Sequence, residues 1–255
     1  MNTRIDQLKD NIRENYNFNK NVTYLHFGDG DYYFLTGQSI GSATPGRRAL
    51  KKEYKDIDLE PFKNGVLQND YICMEYHEKE MIKNFNKLFP NRDLDFDLTW
   101  IYELVINKWI FNFDSIGLIG AKPKLKLIKK LMEYGLYKDY LGIKNFNDYI
   151  EVPQKYLADN LQGNINLIGE QLKKAKSKLF LYGIGHAKTG ISYTFKQFRN
   201  AVYLDIGAGI DAIAGCYEPD RPFGKQWINY RIKNYDYSDI DYLNYYETEK
   251  DVWLS

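Results

Sequence analysis

Cysteine is scarce in this chain. Cys73 and Cys216 are the two present in 255 residues, and they lie far apart in no CxxC pattern. That spacing excludes a disulfide framework and a thiolate zinc cage, and it points to a reducing cytosol, so a cytoplasmic location is expected. No apolar run approaches the roughly 20 residues a membrane span needs. The opening segment MNTRIDQLKDNIREN lacks the apolar core of a secretion signal and reads instead as an amphipathic helix with Ile5, Leu8 and Ile12 on one face. An excess of either charge is also missing. The 35 basic and 34 acidic side chains leave a net charge of +1, which gives no support to a nucleic-acid partner. Linkers rich in Gly, Ser or Pro are absent, as are internal repeats. The expectation is a single domain over residues 1–255, with a core at 22–211 and residues 212–255 as an irregular cover or tail.

What is present is ordinary for a globular protein: 44% hydrophobic and 27% charged residues. The 23 tyrosines admit two readings, a sugar-binding surface or the compositional bias of an AT-rich genome. A buried strand is expected at 22–27, running into Gly28-Asp29-Gly30-Asp31. A basic, glycine-punctuated segment follows at 37–48, with Pro45 placed to start a helix through Ala49, Leu50 and Tyr54. A strand fits 69–74, a helix 77–88 before Pro90, and a strongly apolar helix 99–111. From there strand and helix alternate. Strands are expected at 115–120, 146–152, 178–182 and 201–206, and helices at 124–134, 161–175 and 188–198, with a short helix after Gly207. This rhythm predicts an α/β fold, a Rossmann-like and mostly parallel sheet with helices on both faces. In such sheets ligands bind beyond the carboxyl ends of the strands, which directs attention to Gly28, Gly120, Gly183 and Gly207.

Three segments carry candidate chemistry. In the first, Gly28 to Asp31, two carboxylates one residue apart at a strand end could hold a hard divalent ion, and the glycines would let backbone approach a ligand; the other reading is a tight Asp-Gly turn. The second, Gly183-Ile184-Gly185-His186-Ala187-Lys188, could cradle phosphate with backbone N–H groups, with His186 and Lys188 adding donors, or could be a bare glycine-rich turn. It is not a P-loop. The third, Asp205-Ile206-Gly207-Ala208-Gly209, resembles the nucleotide-binding start of an S-adenosylmethionine methyltransferase, although Asp211 occupies the third glycine position and little chain follows. Asp205 could instead orient a ribose or sugar hydroxyl. Of the histidines, His26 reads as packed within a strand and His77 as a helix start. His186 is the one set in a glycine loop. Arg47 and Arg48 read either as a diphosphate site or as solvated surface.

Read in order, these pieces resemble the GT-D-fold glycosyltransferases, a Rossmann-like group first seen as a domain of unknown function in bacterial protein glycosylation. Leu25-His26-Phe27-Gly28-Asp29-Gly30-Asp31 is similar to that family's RFGDGE signature, with His26 in place of Arg and Asp31 in place of Glu. Residues 116–120 resemble its middle strand, 179–185 its later strand and glycine turn, and 203–207 its DIG strand end, with Ala208 where a His often follows. The resemblance implies a transferase that moves a sugar from a nucleotide-sugar donor, a UDP-sugar, to an acceptor glycan, protein or other hydroxyl compound. It implies Mn²⁺ or Mg²⁺ on Asp29 and Asp31, the 183–188 loop near the diphosphate, and Asp205 near the donor. Candidates for the base that activates the acceptor are Asp211, His186 and Glu53. An S-adenosylmethionine-dependent methyltransferase and a catalytically silent nucleotide-sugar- or glycan-binding module are the competing readings.

Overall fold

The computed structural model describes residues 3–37, 56–74, 79–216, 229–238, 240 and 252–254. Helix α1 (Arg4–Asn17) precedes β1 (Val22–His26), α2 (Asp29–Thr36) and α3 (Glu60–Leu67). Next come β2 (Tyr71–Cys73), α4 (Lys79–Leu88), α5 (Tyr102–Ile106), β3 (Ile116–Ala121), α6 (Lys122–Leu131), α7 (Gly135–Leu141) and β4 (Asp148–Val152). The chain continues through α8 (Leu161–Leu172), β5 (Leu179–Gly183), α9 (Lys188–Ile191), β6 (Val202–Asp205) and α10 (Gly209–Ile213). Strands β7 (Tyr230–Ile232) and β8 (Val252–Leu254) close the described chain.

The first six strands form one sheet in the order β2-β1-β6-β5-β3-β4, and every pairing in it is parallel. A parallel sheet needs cover on both faces, which is why its strands are apolar throughout rather than alternating. Successive side chains then enter different cores. Leu179, Leu181, Val202 and Leu204 pack with Leu8 and Ile12 of α1, Leu125 and Ile128 of α6, and Ile210 of α10. Phe180, Tyr182 and Tyr203 pack instead with Phe34 of α2, Phe62 of α3, Phe85 of α4, Ile168 of α8 and Ile191 of α9. The helices that follow β1 and β5 therefore cover one face, and the helix that follows β6 covers the other. Adjacent strands whose connections leave on opposite sides open a crevice at their carboxyl ends. Here β6 sits at that crevice, between β1 and β5.

The α/β class and the parallel sheet are as the sequence rhythm predicts. Several elements differ. The apolar stretch 99–111 is not one helix. It breaks after α5, because Lys108 takes a left-handed conformation at φ 55° and a 3₁₀ turn follows at Trp109–Asn112. The break is anchored from outside: the Lys108 ammonium donates to the Tyr140 carbonyl at 2.7 Å and lies 4.1 Å from that ring's centre. The helix expected over 188–198 stays α-helical for one turn and then tightens to 3₁₀ at Ser192–Gln197. Its backbone lies hard against α3: a Cβ on Gly65 would fall 2.1 Å from the Thr189 carbonyl oxygen, so no side chain fits between. Lastly, the described part of the C-terminal stretch is ordered packing rather than an irregular tail. Strands β7 and β8 pair in parallel, and Ile232, Ile240 and Leu254 are buried in the core that contains α1 and α6. Helix α7, which no periodicity announced, buries Tyr137 and Leu141 in the same core.

Pro45, Arg47, Arg48, Glu53 and His77 lie outside the described residues. Among the described residues no helix is long and apolar enough to cross a membrane. Cys73 is buried and carries a free thiol, and Cys216 is half-buried.

Candidate active site

The glycine-aspartate segment folds as the start of α2, immediately beyond the end of β1. Gly28 caps the helix with an extended backbone (φ −106°, ψ 179°). The carboxylate of Asp31, in the helix's first turn, turns back and accepts the Gly28 N–H at 3.0 Å. This is the reciprocal half of a helix-capping pair, and an acidic group at that position also meets the positive end of the helix. Residues two apart on a helix point in nearly opposite directions. Asp29 is accordingly exposed and accepts the Gly30 N–H, while Asp31 is only 4% exposed.

Asp31 is held in a buried ion network. Lys188, at the start of α9 beyond β5, places its Nζ 3.0 Å from Asp31 Oδ2 and 2.8 Å from Asp205 Oδ2, and donates to the His26 carbonyl. Asp205, the last residue of β6, also accepts the His26 N–H at 3.2 Å and the Gly207 N–H at 2.9 Å. The carboxyl ends of β1, β5 and β6 are thus tied together at the crevice. Burial alone would raise the Asp31 carboxyl, but Lys188, His186 and the Gly28 N–H outweigh it and hold the acid well below the usual carboxylate range. Burial would likewise lower Lys188, and the two carboxylates outweigh it and push the ammonium above its ordinary value.

His186 is the member of this group that reaches solvent. Its Nδ1 lies 3.3 Å from Asp31 Oδ1, and its side chain is 27% exposed against 5% for Asp31. The ring lies flat on Phe34, with centroids 5.0 Å apart and planes 5° from parallel. Gly30 leaves the space this needs, since a Cβ there would come within 3.0 Å of the His186 Cε1. Three residues of α2, at positions 30, 31 and 34, therefore build the seat of one imidazole: room, hydrogen bond and stacking surface on one helical face.

Several expected roles change on this geometry. Asp29 and Asp31 diverge, and both Asp31 oxygens are engaged by Lys188, His186 and Gly28, so the pair does not fit a shared Mn²⁺ or Mg²⁺ ion. Asp205 is fully buried and held by three protein donors, His26 N–H, Lys188 and Gly207 N–H, so it faces no sugar or ribose hydroxyl. Lys188 is turned inward rather than toward a diphosphate. Asp211 does not join the network; it pairs with Lys124 of α6. Gly183 allows two loops to touch, since a Cβ there would fall 2.3 Å from the Gly207 carbonyl oxygen, whereas Gly185, at φ 59°, borders open space. Sequence reasoning missed two residues. Tyr102 packs edge-on against His26 (5.3 Å, 74°) and sets its hydroxyl 3.0 Å from where a Gly207 Cβ would be. Lys124 is the partner of Asp211. Both sit in apolar helical patterns that signal core and nothing more.

No protein-family description matches the chain. It is similar to a Campylobacter jejuni (strain RM1221) protein named tRNA 5-methylaminomethyl-2-thiouridine biosynthesis bifunctional protein MnmC, 25% identical over 214 residues, covering 75% of this chain and 34% of that one. The protein of the same name from C. jejuni subsp. doylei is 24% identical over 219 residues. The chain spans about a third of the length of these curated relatives (34% and 35%). Among solved structures it is similar to "A New Glycosyltransferase (DUF1792) from Streptococcus sanguinis", 15% identical with a TM-score of 0.48, covering 80% of this chain and 81% of that one. A second, described as the highly conserved domain of unknown function 1792 with a distinct glycosyltransferase fold, is 14% identical with a TM-score of 0.49, covering 80% and 76%. At these values the likeness does not assign an activity.

Proposed function

We propose that the chain is a glycosyltransferase that moves a sugar from a nucleotide sugar, UDP-linked, to an acceptor hydroxyl at the crevice around β6. The observation that carries the reading is the position of the segment Phe27-Gly28-Asp29-Gly30-Asp31, which resembles a glycosyltransferase signature. It forms the strand-to-helix turn at that crevice, with its second carboxylate locked to Lys188 and His186. Such crevices are where parallel α/β sheets take ligands.

The buried network contains two carboxylates and one ammonium, a net charge of −1. A diphosphate set directly on Asp31 would be repelled. The open backbone at Gly185 is the better place for it, since nothing lies within 4 Å of a Cβ built there. The chain's own residues then do two things in this reading. Asp31, Lys188 and Asp205 hold the ends of β1, β5 and β6 in register, and the exposed rim, Asp29, Gly30 and His186, meets substrate.

The test is a thermal-shift panel of UDP, UDP-sugars, GDP and S-adenosylmethionine, each with and without Mn²⁺. A ligand that binds the folded state raises its midpoint by mass action. A shift with UDP or a UDP-sugar is expected. A shift with S-adenosylmethionine alone overturns the reading and favours a methyltransferase.

A further inference from the structure

The geometry points to His186 as the general base that activates the acceptor, with Asp31 as its positioning residue; this rests on the glycosyltransferase reading above. An imidazole abstracts a proton well when one nitrogen is fixed as a donor and the other faces the reacting group. Asp31 supplies the first condition. Its carboxylate is 4% exposed, kept ionised by Lys188, and 3.3 Å from Nδ1. An ionised carboxylate only accepts, so the Nδ1 side of the ring carries the hydrogen and the lone pair is placed on Nε2. Phe34 and Gly30 bear on the second condition: the ring is stacked flat on Phe34 in the space that Gly30 leaves, and 27% of the side chain remains open to solvent.

The other candidates lack this combination. Asp211 is tied to Lys124, and Asp205 is fully buried. In the reaction the acceptor hydroxyl gives its proton to His186 Nε2, and its oxygen forms a bond to the anomeric carbon of the donor sugar. The bond from that carbon to the phosphate oxygen breaks, and its electron pair leaves with the nucleoside diphosphate. The imidazolium, stabilised by Asp31, returns its proton to water. Asp31 thus replaces its expected metal duty with the orientation of a base, the division of labour seen wherever a carboxylate holds a catalytic histidine.

Two measurements test this. Long-range ¹H–¹⁵N correlation of the wild-type protein reads the tautomer of each histidine, and His186 is assigned by the signals missing from His186→Gln. Of the two neutral tautomers the Nδ1–H form is expected; a dominant Nε2–H form overturns the assignment whatever the substrate. In the second, release of UDP from UDP-glucose, UDP-galactose and UDP-N-acetylglucosamine is followed with water as acceptor. His186→Gln is expected to lower kcat about 100-fold or more while the thermal shift with the same donor persists, and added imidazole is expected to restore part of the rate to His186→Ala. A His186→Gln enzyme with wild-type kcat overturns the base and leaves the glycosyltransferase reading intact. Absence of UDP release and of any donor-induced shift in the wild type overturns that reading and the base with it.

Discussion

Lys188 shows how one side chain can carry a fold and a site together. It is 6% exposed and compensates two carboxylates from different strands. Removing one partner of a buried ion network leaves the others charged and unsolvated, which costs about 3–5 kcal/mol. Lys188→Met is therefore expected to lower unfolding free energy by about that amount in urea titrations; a loss below about 1 kcal/mol would show that water already reaches the network. The pH dependence follows from the two shifts. Asp31 is depressed from 3.8, so its contribution is present above that value and is lost as pH falls through the folded value. Lys188 is raised from 10.5, so its contribution is present below that value and is lost as pH rises through the folded value. The gap between wild type and variant is expected to be open at about pH 8 and to narrow in acid as carboxylates take protons, and in alkali only beyond 10.5.

At the scale of an element, α1 illustrates how little apolar surface docks a helix. Much of it is charged or amide-bearing, yet Leu8 and Ile12 are both fully buried against the sheet. Truncating such a side chain removes its transfer energy and leaves a cavity. Leu8→Ala is expected to cost about 2–5 kcal/mol, whereas Leu167→Ala on α8, where Leu167 is 44% exposed, is expected to stay within about 0.5 kcal/mol. Comparable losses for the two in chemical denaturation would mean that α1 is not anchored by this face. Helix α2 is the counter-example. Its eight residues show no strong amphipathic pattern, and the sequence offered a metal loop or a turn there. Its helical start depends on Asp31 closing back onto Gly28, and on a lysine 157 positions later in the chain.

For the whole molecule, the sheet order puts β1 between β2 and β6, so the strand nearest the N-terminus pairs with one about 180 positions later. Such non-local pairing is slow to form and cooperative once formed. Central strands covered on both faces open only by large-scale unfolding. The amides of β1, β5 and β6 are therefore expected to be the slowest in hydrogen exchange followed by mass spectrometry, and those of the edge strands β2 and β4 faster. Equal protection of edge and centre, or early exchange of β1, would contradict the pairing order.

Periodicity and local chemistry made much of this molecule readable from its residues alone. Alternating strand and helix patterns imply the parallel α/β class, because each pattern reports which face of its own element is apolar. The glycine-bearing strand ends, at Gly28, Gly120, Gly183 and Gly207, all fall at the carboxyl edge of the sheet. Side-chain partners were another matter. That Asp31, His186, Lys188 and Asp205 touch, while Asp29 faces away and Asp211 pairs with Lys124, depends on which strands are neighbours and which way each helix leaves the sheet. The break at Lys108 and the tightening after Ile191 have the same origin, a contact with a distant Tyr140 in one case and with α3 in the other. A chain's own pattern carries its local preferences. Electrostatic pairing and close backbone approach act across the fold, and these decided which carboxylate is buried, which cation it holds, and which imidazole is left facing the crevice.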